Sequence, residues 1–279
     1  MYDFEYARPA TLDEATKLLA DNPEARPLSG GQTLIPALKQ RLNRPALLVD
    51  LQAIDALRGI EVNDEWVSVG AMTRHAEVAA HPGIAAAIPA LAFLAGGIAD
   101  PQVRHQGTIG GSISNNDPAA DYPSAVVGLG AQVVTTHRVI AADDFFTGLF
   151  STVLEHSEIV TRVRFARPRR AGYCKLPNPA SGYVMAGCFI AQFAADTRVA
   201  VNGAGPCVFR QRAFEEALSA RFELAALEHC AQDAAGLNAD MHASAAYRAQ
   251  LVKVAAKRAL ARALQPDQPS CREAIVSIN

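Results

Sequence analysis

The 279 residues are half apolar and 19% charged, with a net charge of −2. This is enough chain for a substantial core in one large or two modest domains. The charge excludes the basic field that nucleic-acid binders use, and no apolar run reaches the roughly 18 residues that cross a bilayer.

The start, MYDFEYARPATLDEA, is acidic and mixed, unlike a signal peptide. The cysteines are Cys174, Cys188, Cys207, Cys230 and Cys271. None forms a C-x-x-C pair and none precedes Cys174, which argues against an iron–sulfur or zinc site built by this chain alone. Buried free thiols in a reducing cytoplasm are expected.

In chain order, TLDEATKLLADN (11–22) reads as a helix. Thr11 is its cap, Glu14 completes a capping box, and Leu12, Ala15, Leu18 and Leu19 recur at helical spacing. ARPL leads into a Gly30-Gly31 turn, and ALLVDL (46–51) is a short apolar run that fits a buried strand. RGIEVNDEWVSVG (58–70) has the pattern of a hairpin. The alanine-rich stretch after it is interrupted by Pro82 and Pro89, which predicts short helices with breaks. PQVRHQGTIGGSISNNDPAAD is glycine- and asparagine-rich and reads as loop, followed by a helix from about Tyr122 and a strand AQVVTT. SEIVTRVRF (157–165) alternates like a strand. The arginines from Arg164 to Arg170 read as a solvated surface.

RPRRAGYCKLPNPASGY is basic and proline-rich and predicts a domain boundary. Strands VMAGCFIAQFA and RVAVNGAG come next, then helices QRAFEEALSARFELAAL and AAYRAQLVKVAAKRALARAL. Strands followed by segregated helices predict a separate α+β domain from roughly 170 to 279.

Glycine turns suit phosphate because the backbone can approach the anion and point successive N–H groups at it. VNGAGPCVF fails the dinucleotide fingerprint, since Val208 stands where a third glycine belongs. GLGAQV at Gly128 precedes a strand, and no P-loop pattern is present. Two candidates remain: Gly30-Gly31-Gln32-Thr33 and Thr108-Ile109-Gly110-Gly111-Ser112. Singly each is equally a tight turn; together they form a possible clamp for one elongated anion. The histidines, His75 and His105 among them, lack metal-ligand spacing.

The pair LSGGQTLIPALKQRL…LLVDL and QVRHQGTIGGSISNNDPAADYP resembles the FAD-binding medium subunit of the molybdenum hydroxylases. DFFTGLFSTVLEHSEIVTRVRF and KLPNPASGYVMAGCFIA extend the likeness over nearly the whole chain. The resemblance implies an α+β fold. A two-subdomain FAD-binding domain of the vanillyl-alcohol-oxidase/PCMH type would occupy 1–168, with subdomains about 1–55 and 56–168. A smaller C-terminal domain, an antiparallel sheet plus helices, would occupy 169–279.

It also implies the site. Ser29, Gly30, Gly31, Gln32 and Thr33 form one side of a pyrophosphate clamp, and Thr108, Ile109, Gly110, Gly111 and Ser112 the other, acting mainly through backbone N–H groups. Asp121 matches the family's acidic residue near the adenosine portion, where a carboxylate accepts from ribose hydroxyls. Lys175 and Tyr183 match positions that close over the flavin side, and Ala95 to Val103 lies beside the isoalloxazine ring. Leu34, Ile98, Asn115 and Ile159 complete the implied contacts. Gln32 and Ser112 depart from the commoner His and Asp or Asn. Each assignment has a plainer alternative: Asp121 as a helix cap, Lys175 as a solvated charge, Tyr183 as core packing.

The function so implied is electron transfer through FAD. A large partner would hold the molybdopterin cofactor, a small partner two 2Fe–2S clusters, and the whole would form a dimer of heterotrimers. No catalytic side chain and no metal ligand is implied in this chain. The alternatives are a stand-alone flavin oxidase of the vanillyl-alcohol-oxidase type, or a structural subunit that has lost FAD.

Overall fold

The computed structural model describes residues 1–265, so Cys271 and the last part of the expected C-terminal domain lie outside the described residues. The chain begins with β1 (Glu5–Ala7), α1 (Leu12–Asp21), β2 (Ala25–Leu28), α2 (Leu34–Lys39) and β3 (Leu47–Asp50). Thr11 caps α1 as expected, accepting the Glu14 N–H at 3.2 Å. Glu14 in return accepts the Ala10 N–H at 2.9 Å, one residue before a capping box would have it. The strands form a parallel sheet in the order β1-β3-β2, and Ala15, Leu19, Leu47 and Val49 share its core. A helix, α2, fills the chain between the glycine pair and β3, where the sequence suggested only a turn between strands; its first bond runs from Ile35 N–H to Gly31 O at 3.0 Å.

The middle of the chain holds β4 (Ile60–Val62), β5 (Trp66–Gly70), α3 (His75–Ala80), α4 (Pro82–Ala87), α5 (Pro89–Gly96), α6 (Pro101–Arg104), α7 (Ile109–Asn115) and α8 (Tyr122–Gly128). After these come β6 (Gln132–Thr135), β7 (Val139–Ala141), α9 (Ala142–Phe145), β8 (Phe146–Gly148), β9 (Ser151–Thr152) and β10 (Val160–Ala166). The expected hairpin pairs with β10, giving an antiparallel sheet in the order β4-β5-β10-β6-β7. Pro82, Pro89 and Pro101 each open a helix, where a missing N–H leaves no bond unmade.

One reading of this region needs correction. TIGGS is not loop: Thr108 is an extended cap whose hydroxyl accepts the Gly111 N–H at 3.1 Å, and Ile109–Asn115 is helix. Glycine and serine are poor helix formers, but tertiary packing wins here. Ile109 and Ile113 are fully buried, and a Cβ on Gly110 would lie 2.6 Å from the Ala71 Cβ.

The last part comprises β11 (Arg170–Pro177), β12 (Val184–Gln192), β13 (Thr197–Asn202), β14 (Phe209–Arg210), α10 (Arg212–Ala220) and α11 (Ala245–Leu264). The strands make an antiparallel meander, as expected. The basic, proline-rich stretch carries a full strand, β11, from Arg170 onward. The helix expected over 211–227 ends at Ala220; Arg221 is extended and a single 3-10 turn resumes at Leu224. This break lets Phe222 pack on, and Leu227 enter, the core that Phe214 and Leu218 occupy.

Strand periodicity distributes this sheet between two cores. Cys188 and Ile190 join α10 and α11 on one face, while Phe189 and Ala191 join α8 and the middle sheet on the other. Gly172 is needed for the first face: a Cβ there would lie 2.0 Å from the Ala259 carbonyl of α11. Tyr173 and Lys175 follow with the opposite orientation to Cys174, toward α8. Among the described residues no helix is long and apolar enough to cross a membrane.

Candidate functional site

The two glycine motifs meet. At the end of β2, a Cβ on Gly30 would lie 2.2 Å from the Gln106 carbonyl, so only glycine lets this strand reach the chain entering α7. Ser29 Oγ and Thr108 Oγ1 are hydrogen-bonded at 2.6 Å. Gly31 then turns with φ 71°, in the left-handed region that glycine enters freely.

Their backbone donors differ. Among the described residues, the N–H groups of Gly30, Gly31, Gln32 and Thr33 enter no hydrogen bond with the protein. In the second motif the four N–H groups from Ile109 to Ser112 are committed, while that of Thr108 is not. Ile109 donates to Thr73 O at 3.1 Å, Gly110 to Ala71 O at 2.9 Å, and Ser112 to Thr108 O at 3.0 Å, while Gly111 serves the Thr108 cap. The first motif therefore offers four free donors, and the second presents the bare backbone of Gly110 and Gly111 between the side chains of Thr108 and Ser112.

Between them lies a cavity of about 650 Å³, within the range typical of small-molecule sites. It is lined by Ser29, Gly30, Gly31, Gln32, Thr33 and Leu34, by Thr108, Gly110, Gly111, Ser112 and Asn115, and by Ile98, Asp121, Ile159, Lys175 and Tyr183. Of the residues singled out from the sequence, Ile109 stays off its wall, with its side chain fully buried in the core, as do Ala95, Gly96, Gly97, Pro101 and Gln102 of the flavin-side stretch.

At the cavity wall, β11 meets the start of α8. Tyr173 Oη donates to Asp121 Oδ1 at 2.7 Å, and Lys175 Nζ reaches Oδ1 at 3.0 Å and Oδ2 at 3.3 Å. Burial pushes the Asp121 carboxyl above its ordinary pKa, and the Lys175 ammonium and the Tyr173 hydroxyl hold it back. Burial and the Asp121 charge push the Tyr173 phenol well above its ordinary value, so it stays a donor. The plainer alternatives do not describe these side chains. The Asp121 side chain makes no cap bond to α8, Lys175 is mostly buried and paired, and Tyr183 is 62% exposed at the rim.

Glu158 and His75 also line the cavity, and the sequence assigned neither a role there. Glu158 has a fully buried side chain, held by Arg138 Nε and Nη2 at 3.0 Å each, by Thr135 Oγ1 at 2.7 Å and by the Glu155 N–H at 3.0 Å. Burial pushes its carboxyl up, but these bonds outweigh that and hold it at about 2. His75 is buried against Tyr122, and burial, helped by the Arg104 charge, lowers its imidazole to about 4. Ala99, within the Ala95–Val103 stretch expected beside the flavin, also lines the cavity and has φ 43°. Their local patterns are ordinary, and only the tertiary structure brings them to the wall. No cluster of His, Cys, Asp and Glu suited to a metal ion occurs among the described residues.

Residues 2–168 match the family described as the FAD binding domain in molybdopterin dehydrogenase. The chain is 32% identical over 273 residues to the nicotine 6-hydroxylase medium subunit of Paenarthrobacter nicotinovorans, covering 92% of this chain and 96% of that one. It is 34% identical over 282 residues to the carbon monoxide dehydrogenase medium chain of Hydrogenophaga pseudoflava, covering 93% and 98%. A solved structure of the Hydrogenophaga pseudoflava carbon monoxide dehydrogenase, in a form lacking the Mo-pyranopterin moiety of its molybdenum cofactor, superposes with a TM-score of 0.86 at 32% identity. That match covers 94% of this chain and 98% of the other.

Proposed function

The chain belongs to the family of FAD-binding domains of molybdopterin dehydrogenases, as the medium, FAD-dependent oxidoreductase subunit of a molybdenum hydroxylase, and from that premise we propose how it holds its cofactor and what it serves. FAD lies along the cavity, with its pyrophosphate on the Gly30–Thr33 turn. The observation that carries this is the row of four uncommitted N–H groups in a turn without Lys or Arg. Such a row suits an anion approached closely by backbone. The Gly110 and Gly111 backbone at the start of α7 closes the other side, and Ser112 adds a hydroxyl. Asp121 accepts from ribose hydroxyls, steadied by Tyr173 and Lys175. Tyr183 at the rim and the Ile98–Val103 stretch flank the flavin end, with Leu34, Asn115 and Ile159 as further contacts.

Bound there, FAD would supply the redox chemistry, a route for electrons from the 2Fe–2S clusters of a small partner subunit to an external acceptor. The chain's own residues bind it, orient it and exclude water; none is assigned a proton-transfer role. A large partner carries the molybdopterin cofactor and the substrate site, within a cytoplasmic dimer of heterotrimers. The relatives' names span nicotine and carbon monoxide, which supports placing substrate choice on that partner. The organisation proposed for this chain is 1–55, 56–168 and 169–279.

Affinity purification of the tagged chain from its native cell tests the assembly. A large molybdopterin-containing chain and a small iron–sulfur chain are expected to co-purify in equal amount. A chain that purifies alone and oxidises an alcohol by itself would instead support the stand-alone oxidase.

A further inference from the structure

Three successive carbonyls at the cavity wall are each held by a cationic side chain. Lys175 Nζ donates to Gly97 O at 2.7 Å, and Arg104 Nη1 donates to Ile98 O at 2.7 Å and to Ala99 O at 2.8 Å. Between them Ala99 has φ 43°, where an alanine Cβ is disfavoured. Asp100 fixes the far end by accepting the Val103 N–H at 2.8 Å through its carboxylate. Ile98, Ala99 and Asp100 all line the cavity, whereas Arg104 does not.

The peptide plane converts this clamp into an orientation. In a trans peptide the C=O and the following N–H point in opposite directions, and the described chain has no cis bond. With the Ile98 and Ala99 carbonyls drawn onto one guanidinium, the N–H groups of Ala99 and Asp100 are turned away from it. Neither donates to any group of the protein among the described residues. A non-glycine residue in a disfavoured backbone region persists only where its surroundings fix it, and such residues gather at functional sites. Arg104 supplies that fixing from outside the cavity.

We infer that Arg104 is a positioning residue for the bound flavin: its Nη1 group holds the left-handed turn at Ala99 so that the Ala99 and Asp100 N–H groups face the cofactor as donors. The inference rests on the cavity being the FAD site. Donors aimed at the ring favour its more electron-rich, reduced form, so the clamp raises the flavin midpoint potential. Both carbonyls accept from the same Nη1 group, whose two hydrogens the planar guanidinium holds in fixed directions, unlike the freely rotating ammonium of lysine.

The test compares the wild-type complex with complexes carrying Arg104→Lys, Arg104→Ala, and Arg104→Ala combined with Ala99→Gly. FAD content, FAD affinity by reconstitution and the flavin midpoint potential are measured on each. Arg104→Ala is expected to weaken FAD binding about tenfold, as for loss of charged hydrogen bonds, and to make the potential more negative. Arg104→Lys, which keeps the charge and is the milder variant should the alanine form fail to fold, is expected to shift the potential in the same direction by less. Adding Ala99→Gly to Arg104→Ala is expected to restore part of the affinity, because glycine holds the left-handed turn without the clamp.

A flavin potential that is unchanged in both single variants, or a double variant no better than Arg104→Ala, overturns the inference and leaves Arg104 a structural residue. A wild-type complex with no flavin on this chain overturns the FAD reading itself, and this inference with it.

Discussion

Ser29 Oγ and Thr108 Oγ1 stand 2.6 Å apart, joining the end of β2 to the cap of α7 across 79 positions of sequence. Thr108 also accepts the Gly111 N–H, and Ser29 can donate to Met72 Sδ at 2.9 Å. One short polar pair thus couples the edge of the parallel sheet to the helix that forms the opposite wall. Thr108→Ala removes both the cap and the link. A lost cap costs about 1–2 kcal/mol, and a lost hydrogen bond about 1 kcal/mol more. A lower melting temperature and weaker FAD binding are expected together, whereas Thr108→Ser is expected to retain most of both.

The glycines rank by what a Cβ would strike. Gly30→Ala meets the Gln106 carbonyl at 2.2 Å and Gly110→Ala meets the Ala71 Cβ at 2.6 Å, while Gly111→Ala meets only the Thr108 hydroxyl at 3.1 Å. FAD retention and melting temperature are expected to fall in Gly30→Ala and Gly110→Ala and much less in Gly111→Ala. Equal effects at Gly110 and Gly111 would mean that the pair acts as a loop and not as a packed helix start.

Much of this was legible locally. α1 declared itself through Thr11 and its apolar spacing, α11 through its long amphipathic run, and the β4–β5 hairpin through its polar turn. α7 was not legible, because its glycines and serines look like loop until Ala71 is seen packed on Gly110. Tyr173 and Asp121 lie 52 positions apart, and nothing in either neighbourhood announces their bond. The resemblance named much of the cavity wall, but not that the first motif's N–H groups are free while those from Ile109 to Ser112 are spent. Nor did it mark the left-handed backbone of Ala99, which no sequence pattern predicts.

The Asp121–Lys175 pair should behave as a buried ion pair. Lys175→Met leaves a carboxylate with little exposure and no cation, and is expected to cost about 3–5 kcal/mol. Combining it with Asp121→Asn is expected to return much of that stability, as a double-mutant cycle in urea unfolding would read. Additive losses would show that the two side chains are independent.

Acid should weaken the fold in two windows. His75 titrates at about 4 in the folded chain, below its ordinary 6.5. The unfolded chain therefore binds more protons between these values, and stability falls as the pH drops from about 6.5 toward 4. Glu158 is held at about 2, below its ordinary 4.5, so its contribution is present above 4.5 and is lost as the pH falls toward 2. His75→Leu is expected to flatten the first window and Glu158→Gln the second. Unfolding free energy measured against pH separates them.

Non-covalent FAD on a turn whose backbone donors are free is a property that can be measured. It is tested most directly by denaturing the purified complex and measuring the flavin released per copy of this chain. About one FAD in the supernatant is the predicted result. No flavin, or flavin that stays on the precipitated chain, would contradict it.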